Sequence, residues 1–163
     1  MTKCGIGFDA HRLAPGRKLI LGGVEIPHTS GLDGHSDADV VCHAIADALL
    51  GAIGENDIGH HFPNSDESIR GISSLEILRR VASILEQKRA RVINIDATLI
   101  AEAPKIAPHI SAMRENIASA LQVDSSRIGI KATTNEGLGS IGRGEGMAAM
   151  SVASVEQNEA RGL

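Results

Sequence analysis

Aromatic side chains are almost missing: 163 residues carry two phenylalanines, Phe8 and Phe62, and neither tryptophan nor tyrosine. The core and any interface must therefore be aliphatic. A bound nucleobase would have no Tyr or Trp to stack on and would be read by backbone groups and aliphatic walls. Cysteine is scarce too: Cys4 and Cys42 are the only two, with no C-x-x-C, which excludes a disulfide framework. No run reaches the roughly 18 apolar residues of a membrane span, and no signal-peptide pattern opens the chain. The expectation is a cytoplasmic protein without membrane contact. There is no basic excess either. A net charge of −4 argues against a nucleic-acid partner. It leaves room for a small phosphorylated ligand, which needs only a few local cations or a metal.

What is present is a chain of one-domain length, 163 residues with 42% apolar content, and no repeat or linker divides it. "KCGIGFDAHRL" reads as a first strand, and "KLILGGVEIPH" as a hairpin turning on Gly22 and Gly23. A polar loop follows over 29–39. Helices are predicted over 39–53, 74–90 and 108–121, the first with Val41, Ile45, Ala48, Leu49 and Ala52 on one face and Asp37 or Asp39 as its cap. Strands are predicted over 91–102, at "RIGIKATT" and at "MAAMSVASVE", the last two joined by a glycine-rich turn. The order implies a single α+β domain spanning 1–163: a mixed four-stranded sheet, helices layered on one face, and a small N-terminal hairpin.

Chemistry-bearing residues cluster along this frame. In "GFDAH", Asp9 and His11 are two apart and share one face of a strand. With His43 on the first helix they make two imidazoles and one carboxylate. That set suits an open tetrahedral zinc site or the facial triad of a non-haem iron enzyme. Asp39 and Asp47 lie four residues either side of His43, where each could orient the imidazole or serve only as a cap or solvated acid. "GHSDAD" puts His35, Ser36, Asp37 and Asp39 before a helix start, where free N–H groups favour oxygen-rich ligands. "ENDIGHHFPNSD" supplies Asp57, His60, His61, Ser65 and Asp66. "AEAPKI" sets Lys105 after Pro104, and "KATTNEGLGSIGRGEG" brings Lys131, Thr133, Thr134, Glu136 and Arg143 among glycines. Hydroxyls and glycine N–H groups suit phosphate, and a carboxylate beside them suits a hard cation. Neither a Walker loop nor an initial GxGxxG is present.

Taken in order, "GFDAH", "GHSDADVVCHAIADALLGAIGENDIGHHFPNSD", "AEAPKIAPHI", "KATTNEGLG" and "GRGEG" give the chain a resemblance, over about residues 3–156, to the 2-C-methyl-D-erythritol 2,4-cyclodiphosphate synthase family of the non-mevalonate isoprenoid route. The resemblance implies that Asp9, His11 and His43 hold zinc. It implies that His35 and Ser36 meet the reacting phosphates, with His35 and Thr134 as transition-state stabilisers. Asp57, Ile58 and Gly59 match the part that holds the methylerythritol, with Phe62, Pro63, Asn64, Ser65 and Asp66 as a flap beside it. Ala101, Ala103, Pro104, Lys105 and Ile106 match the cytosine-reading segment. Thr133 matches the cytidine diphosphate site, and Glu136 the ligand of a second ion, Mg2+ or Mn2+. Arg143 matches either a phosphate contact or the lining of a channel.

The implied reaction is attack of the substrate's 2-phosphate on its β-phosphorus, with loss of CMP and no protein nucleophile. Family members are homotrimers with sites between subunits. The strands "IDATLIA" and "MAAMSVASV", apolar on both faces, agree with sheets packed together. Ser140 departs from the aromatic common at that position, which weighs against an apolar ligand in the trimer channel. Two other readings are an oxygenase using the same triad with iron, and a non-catalytic module that binds cytidine nucleotides.

Overall fold

The computed structural model describes residues 1–158; residues 159–163 of the expected domain lie outside them. Five strands form one mixed sheet in the order β4-β1-β7-β5-β6: β1 Thr2–Pro15, β4 Ser30–Leu32, β5 Ala90–Ile100, β6 Ile128–Thr133 and β7 Gly146–Gln157. The expectation of four strands is corrected by β4, which lies inside the segment expected to be a polar loop. Three residues are too few for an alternating pattern to register. They pair with the far end of β1, Leu13 against Leu32. The hairpin forms as expected, with β2 Leu19–Leu21 and β3 Val24–Ile26 as a separate two-stranded sheet.

Helices α1 Val40–Ala52, α3 Ser74–Gln87 and α4 Ile110–Leu121 cover one face. Two single-turn helices, α2 Ile58–His61 and α5 Gly139–Gly142, sit in segments that carry no helical periodicity. α3 starts where expected and stops at Gln87, capped by Ser73 accepting from Leu75 N–H. α4 ends on Gln122 in the left-handed region, φ 55°.

α1 is the centre of the layer. The expected single stripe understates it: every residue but Asp47 and Gly51 is buried, because the sheet lies below and α3 above. Its approach to β1 depends on two glycines. A Cβ on Gly5 would lie 2.1 Å from the Ala48 carbonyl oxygen, and one on Gly7 would lie 1.9 Å from that of Ala44. Glycine is thus required on the helix-facing side of β1, and the next two residues on that side are Asp9 and His11. Among the described residues, no helix packs on the other side of the sheet. Ile6, Phe8, Met150 and Val152 stand there 44–65% exposed, with Phe8 opposite Met150 and Ile6 opposite Val152.

Gly7→Ala should lift α1 from β1 and cost about 3 kcal/mol of stability, the upper part of the range for core overpacking; urea unfolding measures it.

Candidate active site

β1 delivers Asp9 and His11 to the helix face, and the second turn of α1 delivers His43 above them. Three atoms converge: Asp9 Oδ2 lies 2.8 Å from His11 Nε2 and 2.9 Å from His43 Nδ1, and the two nitrogens are 3.2 Å apart. A tetrahedral ion with ligands at roughly 2.0–2.1 Å would hold neighbouring ligand atoms roughly 3.3 Å apart, so the three fit such an ion with little movement. The outer nitrogens fit as well. His11 Nδ1 donates to the Asp33 carbonyl at 2.8 Å, which leaves Nε2 its lone pair. His43 Nε2 faces Ser74 Oγ at 2.9 Å and Ser36 Oγ at 3.1 Å. Burial pushes the Asp9 carboxyl pKa up, but its interactions with the facing His11 and His43 rings outweigh that, and the group stays well below the ordinary carboxylate range. For His11, burial lowers the pKa and Asp9 raises it, with a net rise.

The triad forms one wall of a cavity of about 260 Å³. His35 and Ser36 stand on its rim, and Ile58, Gly59, Phe62, Asn64 and Asp66 complete the side expected from the sequence. Asp57 does not line it; its side chain caps α2, accepting from His60 N–H at 2.9 Å. Pro63 and Ser65 are exposed on the same segment without facing the cavity. Four further lining residues, Ile69, Arg70, Ile72 and Ile77, went unnoticed in the sequence because nothing there distinguishes them from connector and helix-face residues.

Other expected residues gather elsewhere. Strands β5 and β6 run parallel and end together, with Ala101 N–H donating to the Thr133 carbonyl at 3.0 Å. This joins the segment 101–106 to Thr133, Thr134 and Glu136. Ala101 and Ile106 are buried, while Ala103 and Lys105 are exposed and Pro104 is half-buried. Thr134 Oγ1 donates to Glu136 Oε1 at 3.1 Å. Glu102, not singled out in the sequence, accepts from Asn135 N–H at 2.7 Å and ties the two loops. Arg143 pairs with Glu145 at 2.6 Å and Lys131 with Asp96 on the open sheet face. The register sets Asp9 opposite Ala149, Ala149 opposite Leu99, and Leu99 opposite Ala132. Three strand spacings, roughly 14 Å, separate the triad's strand from β6. One chain therefore does not unite the two groups in a single pocket.

Neither acid flanking His43 orients its ring. Asp39 is fully buried and caps α1, accepting from Cys42 N–H at 3.1 Å and from Gly23 N–H of the hairpin at 2.7 Å. Asp47 accepts from Ile58 N–H at 2.7 Å and so anchors α2. His61 Nε2 points toward Glu55 at 3.5 Å, away from the cavity residues, and His60 packs on its ring. Arg17, also missed, holds the loop before α1 through Asp33 and the carbonyls of Gly34 and Ser36.

Two imidazoles and a carboxylate gathered at a cavity wall of an α+β domain could hold a metal ion, the arrangement of an enzyme of small molecules. The family follows from comparison: residues 2–156 match the model of the YgbB family, and the chain belongs to that family. It is 57% identical over 156 residues to the 2-C-methyl-D-erythritol 2,4-cyclodiphosphate synthase of Alkaliphilus metalliredigens, covering 96% of this chain and 98% of the relative. The synthase of Desulfosudis oleivorans is 54% identical, over 98% of this chain and 95% of its own. Among solved structures, IspF of Plasmodium falciparum in a CDP complex superposes with a TM-score of 0.84 at 31% identity, covering 97% of each chain. The bifunctional IspDF of Campylobacter jejuni superposes at 0.93 with 41% identity, covering 98% of this chain and 43% of that one.

Asp47→Ala should free the start of α2 and loosen the wall carrying Ile58, Gly59 and Phe62. Loss of one hydrogen bond of about 1 kcal/mol corresponds to roughly a fivefold rise in KM. Steady-state kinetics would show it, with metal content unchanged.

Proposed function

We propose that the chain converts 4-diphosphocytidyl-2-C-methyl-D-erythritol 2-phosphate to 2-C-methyl-D-erythritol 2,4-cyclodiphosphate and CMP, as a phosphorus–oxygen lyase of non-mevalonate isoprenoid synthesis. The convergence of Asp9 Oδ2, His11 Nε2 and His43 Nδ1 on the wall of a cavity carries this reading. Relatives more than half identical bear the synthase's name, which supports it.

Asp9, His11 and His43 would hold Zn2+, and Glu136 a second divalent ion, Mg2+ or Mn2+. Bound there, the ions supply positive charge against two phosphate groups that must meet. The chain's own groups bind and orient. His35 and Ser36 lie on the rim beside the triad, within the same cavity, and can donate to phosphate oxygens. Thr134 can do the same from the β6 end. Ile58, Gly59, Phe62, Asn64 and Asp66, which line the cavity, would enclose the methylerythritol, and Asp57, Pro63 and Ser65 of the same segment would need to turn toward it. Ala101, Ala103, Pro104, Lys105, Ile106 and Thr133 would take the cytidine diphosphate, in keeping with the two relatives' structures that hold CDP. Arg143 would need to leave Glu145 to meet a phosphate.

In the reaction a 2-phosphate oxygen forms a bond to the β-phosphorus, and the bond from that phosphorus to the CMP oxygen breaks. CMP leaves with the electron pair. No protein nucleophile enters. Cys42, beside His43, is buried, and burial followed by Asp39 raises its thiol pKa well above the usual value, so it stays a packing residue.

The site would be completed by a second copy of the chain in a homotrimer. Two observations support this: the triad and the β6 loop are roughly 14 Å apart across the sheet, and the open sheet face carries Ile6, Phe8, Met150 and Val152. Free thiols at Cys4 and Cys42 suit the cytoplasm. No helix among the described residues is long and apolar enough to cross a membrane.

Incubation with the substrate, zinc and Mg2+ should yield CMP and the cyclic diphosphate by mass spectrometry. His43→Ala should lose bound zinc and CMP release while keeping its thermal unfolding transition; full zinc content with full CMP release in that variant overturns the metal reading. Phe8→Asp should convert a trimer to a monomer in light scattering and lose turnover. A wild-type monomer at micromolar concentration overturns the assembly.

A further inference from the structure

His43 Nδ1 lies 2.9 Å from Asp9 Oδ2, close enough for an N–H on that nitrogen to bond the carboxylate. That tautomer has no lone pair to offer a cation. The proton must sit on the other nitrogen, and the surroundings of Nε2 settle where it sits. Nε2 is 2.9 Å from Ser74 Oγ, and Ser74 is fully buried in the first turn of α3. Ser74 Oγ in turn bonds Asp37 Oδ1. The same carboxylate accepts from Ser74 N–H at 2.9 Å and Asp39 N–H at 3.2 Å. Surrounded by donors, Asp37 acts as the acceptor, so the serine hydroxyl proton is directed to it. With that proton committed, Ser74 Oγ meets His43 Nε2 as an acceptor. The imidazole then carries its proton on Nε2, and its Nδ1 lone pair faces Asp9 and His11. Ser36 Oγ, 3.1 Å from the same nitrogen, takes the Ala38 N–H at 3.0 Å and is a second acceptor there.

We infer that Asp37 and Ser74 form a positioning relay that holds His43 in its Nε2–H tautomer and so presents Nδ1 to the bound cation; the inference rests on the reading of the triad as zinc ligands. The relay also joins separate segments. Asp37 N–H donates to the Ile72 carbonyl at 3.1 Å and Gly71 N–H to the His35 carbonyl at 2.7 Å, so the loop bearing His35 is laced to the start of α3. Ser74 fixes the metal ligand from one side of this lacing and Asp37 from the other. Neither residue lines the cavity.

The test uses the full chain. The 15N chemical shifts of the His43 ring in wild-type protein stripped of metal should report a protonated Nε2 and a bare Nδ1. Competition with a chromophoric chelator should give a zinc Kd about 10–100-fold higher in Ser74→Ala, the usual cost of losing a partner of a metal-bound imidazole. The ring shifts should move toward Nδ1–H in the same variant. Ser74→Thr keeps the hydroxyl and should bring both readouts back toward wild type, whereas a merely structural defect would leave the tautomer unmoved. A wild-type ring protonated on Nδ1, or a Ser74→Ala Kd within roughly twofold of wild type, overturns the relay. If Ser74→Ala does not fold, the wild-type shifts and the Ser74→Thr Kd decide. A wild-type chain that binds no zinc fails the metal reading itself. One that binds zinc equally well without the Ser74 hydroxyl fails only the relay.

Discussion

The contact between α1 and β1 is the constraint on which the other features rest. Gly5 and Gly7 let the helix backbone settle onto the strand, where any side chain would meet the carbonyls of Ala44 and Ala48. The same alternation that places these glycines beneath the helix places Asp9 and His11 at the end of the row, below His43. Packing and chemistry are therefore set by a single register. A one-residue slip of β1 against β7 would turn both ligands to the open face and bring Phe8 against the helix. The buried residues of α1, which stay dry on nearly every side, resist that slip.

Electrostatics follows from this placement. A chain of net charge −4 that handles an anionic ligand must gather positive charge locally. In the triad the balance runs toward an anion at Asp9, because two imidazoles face it. That is what a cation needs, and a cation is in turn what a phosphate needs. The outer nitrogens are tied to the Asp33 carbonyl and to Ser74, so the ligand atoms are aimed by groups outside the cavity. Two cations near the β6 end are already paired, Lys131 with Asp96 and Arg143 with Glu145. Among the described residues, Arg70, on the cavity wall, pairs only with the exposed Glu67.

Much of this arrangement is legible in the amino-acid order, and the part that is not has identifiable reasons. Asp9 and His11 are readable because strand periodicity places them on one face. His43 is readable only through its motif, since a helix residue 32 positions after His11 declares no neighbour by spacing alone. The helices and long strands follow their hydrophobic periods. β4, α2 and α5 do not, because three or four residues are too few to carry a period. Asp39 and Asp47 share a helical face with His43, yet their carboxylates are spent on backbone N–H groups of Cys42, Gly23 and Ile58. Local spacing left both contact with His43 and capping open, and the carboxylates went to the backbone N–H groups. Ser74 was invisible for the converse reason. A serine at a helix start reads as a cap, and its hydroxyl instead bridges Asp37 and His43, 37 and 31 residues away.

The shortage of aromatics gains meaning from where the two phenylalanines stand. Phe8 is outside the buried cluster and Phe62 is its one aromatic member; Leu, Ile, Val, Ala, Met and Cys42 fill the rest. Phe62 lines the cavity with the Arg80 guanidinium 5.8 Å above its ring, and Phe8 stands 58% exposed on the open sheet face beside Met150. A large ring is costly where α1 must approach β1 at glycine distance, and useful where a broad apolar surface awaits something outside the chain. On the proposed assembly, that surface is where the missing loop of the site would come from. The interaction that leaves no room for aromatic bulk beneath α1 also leaves the opposite face of the same strand free to present it.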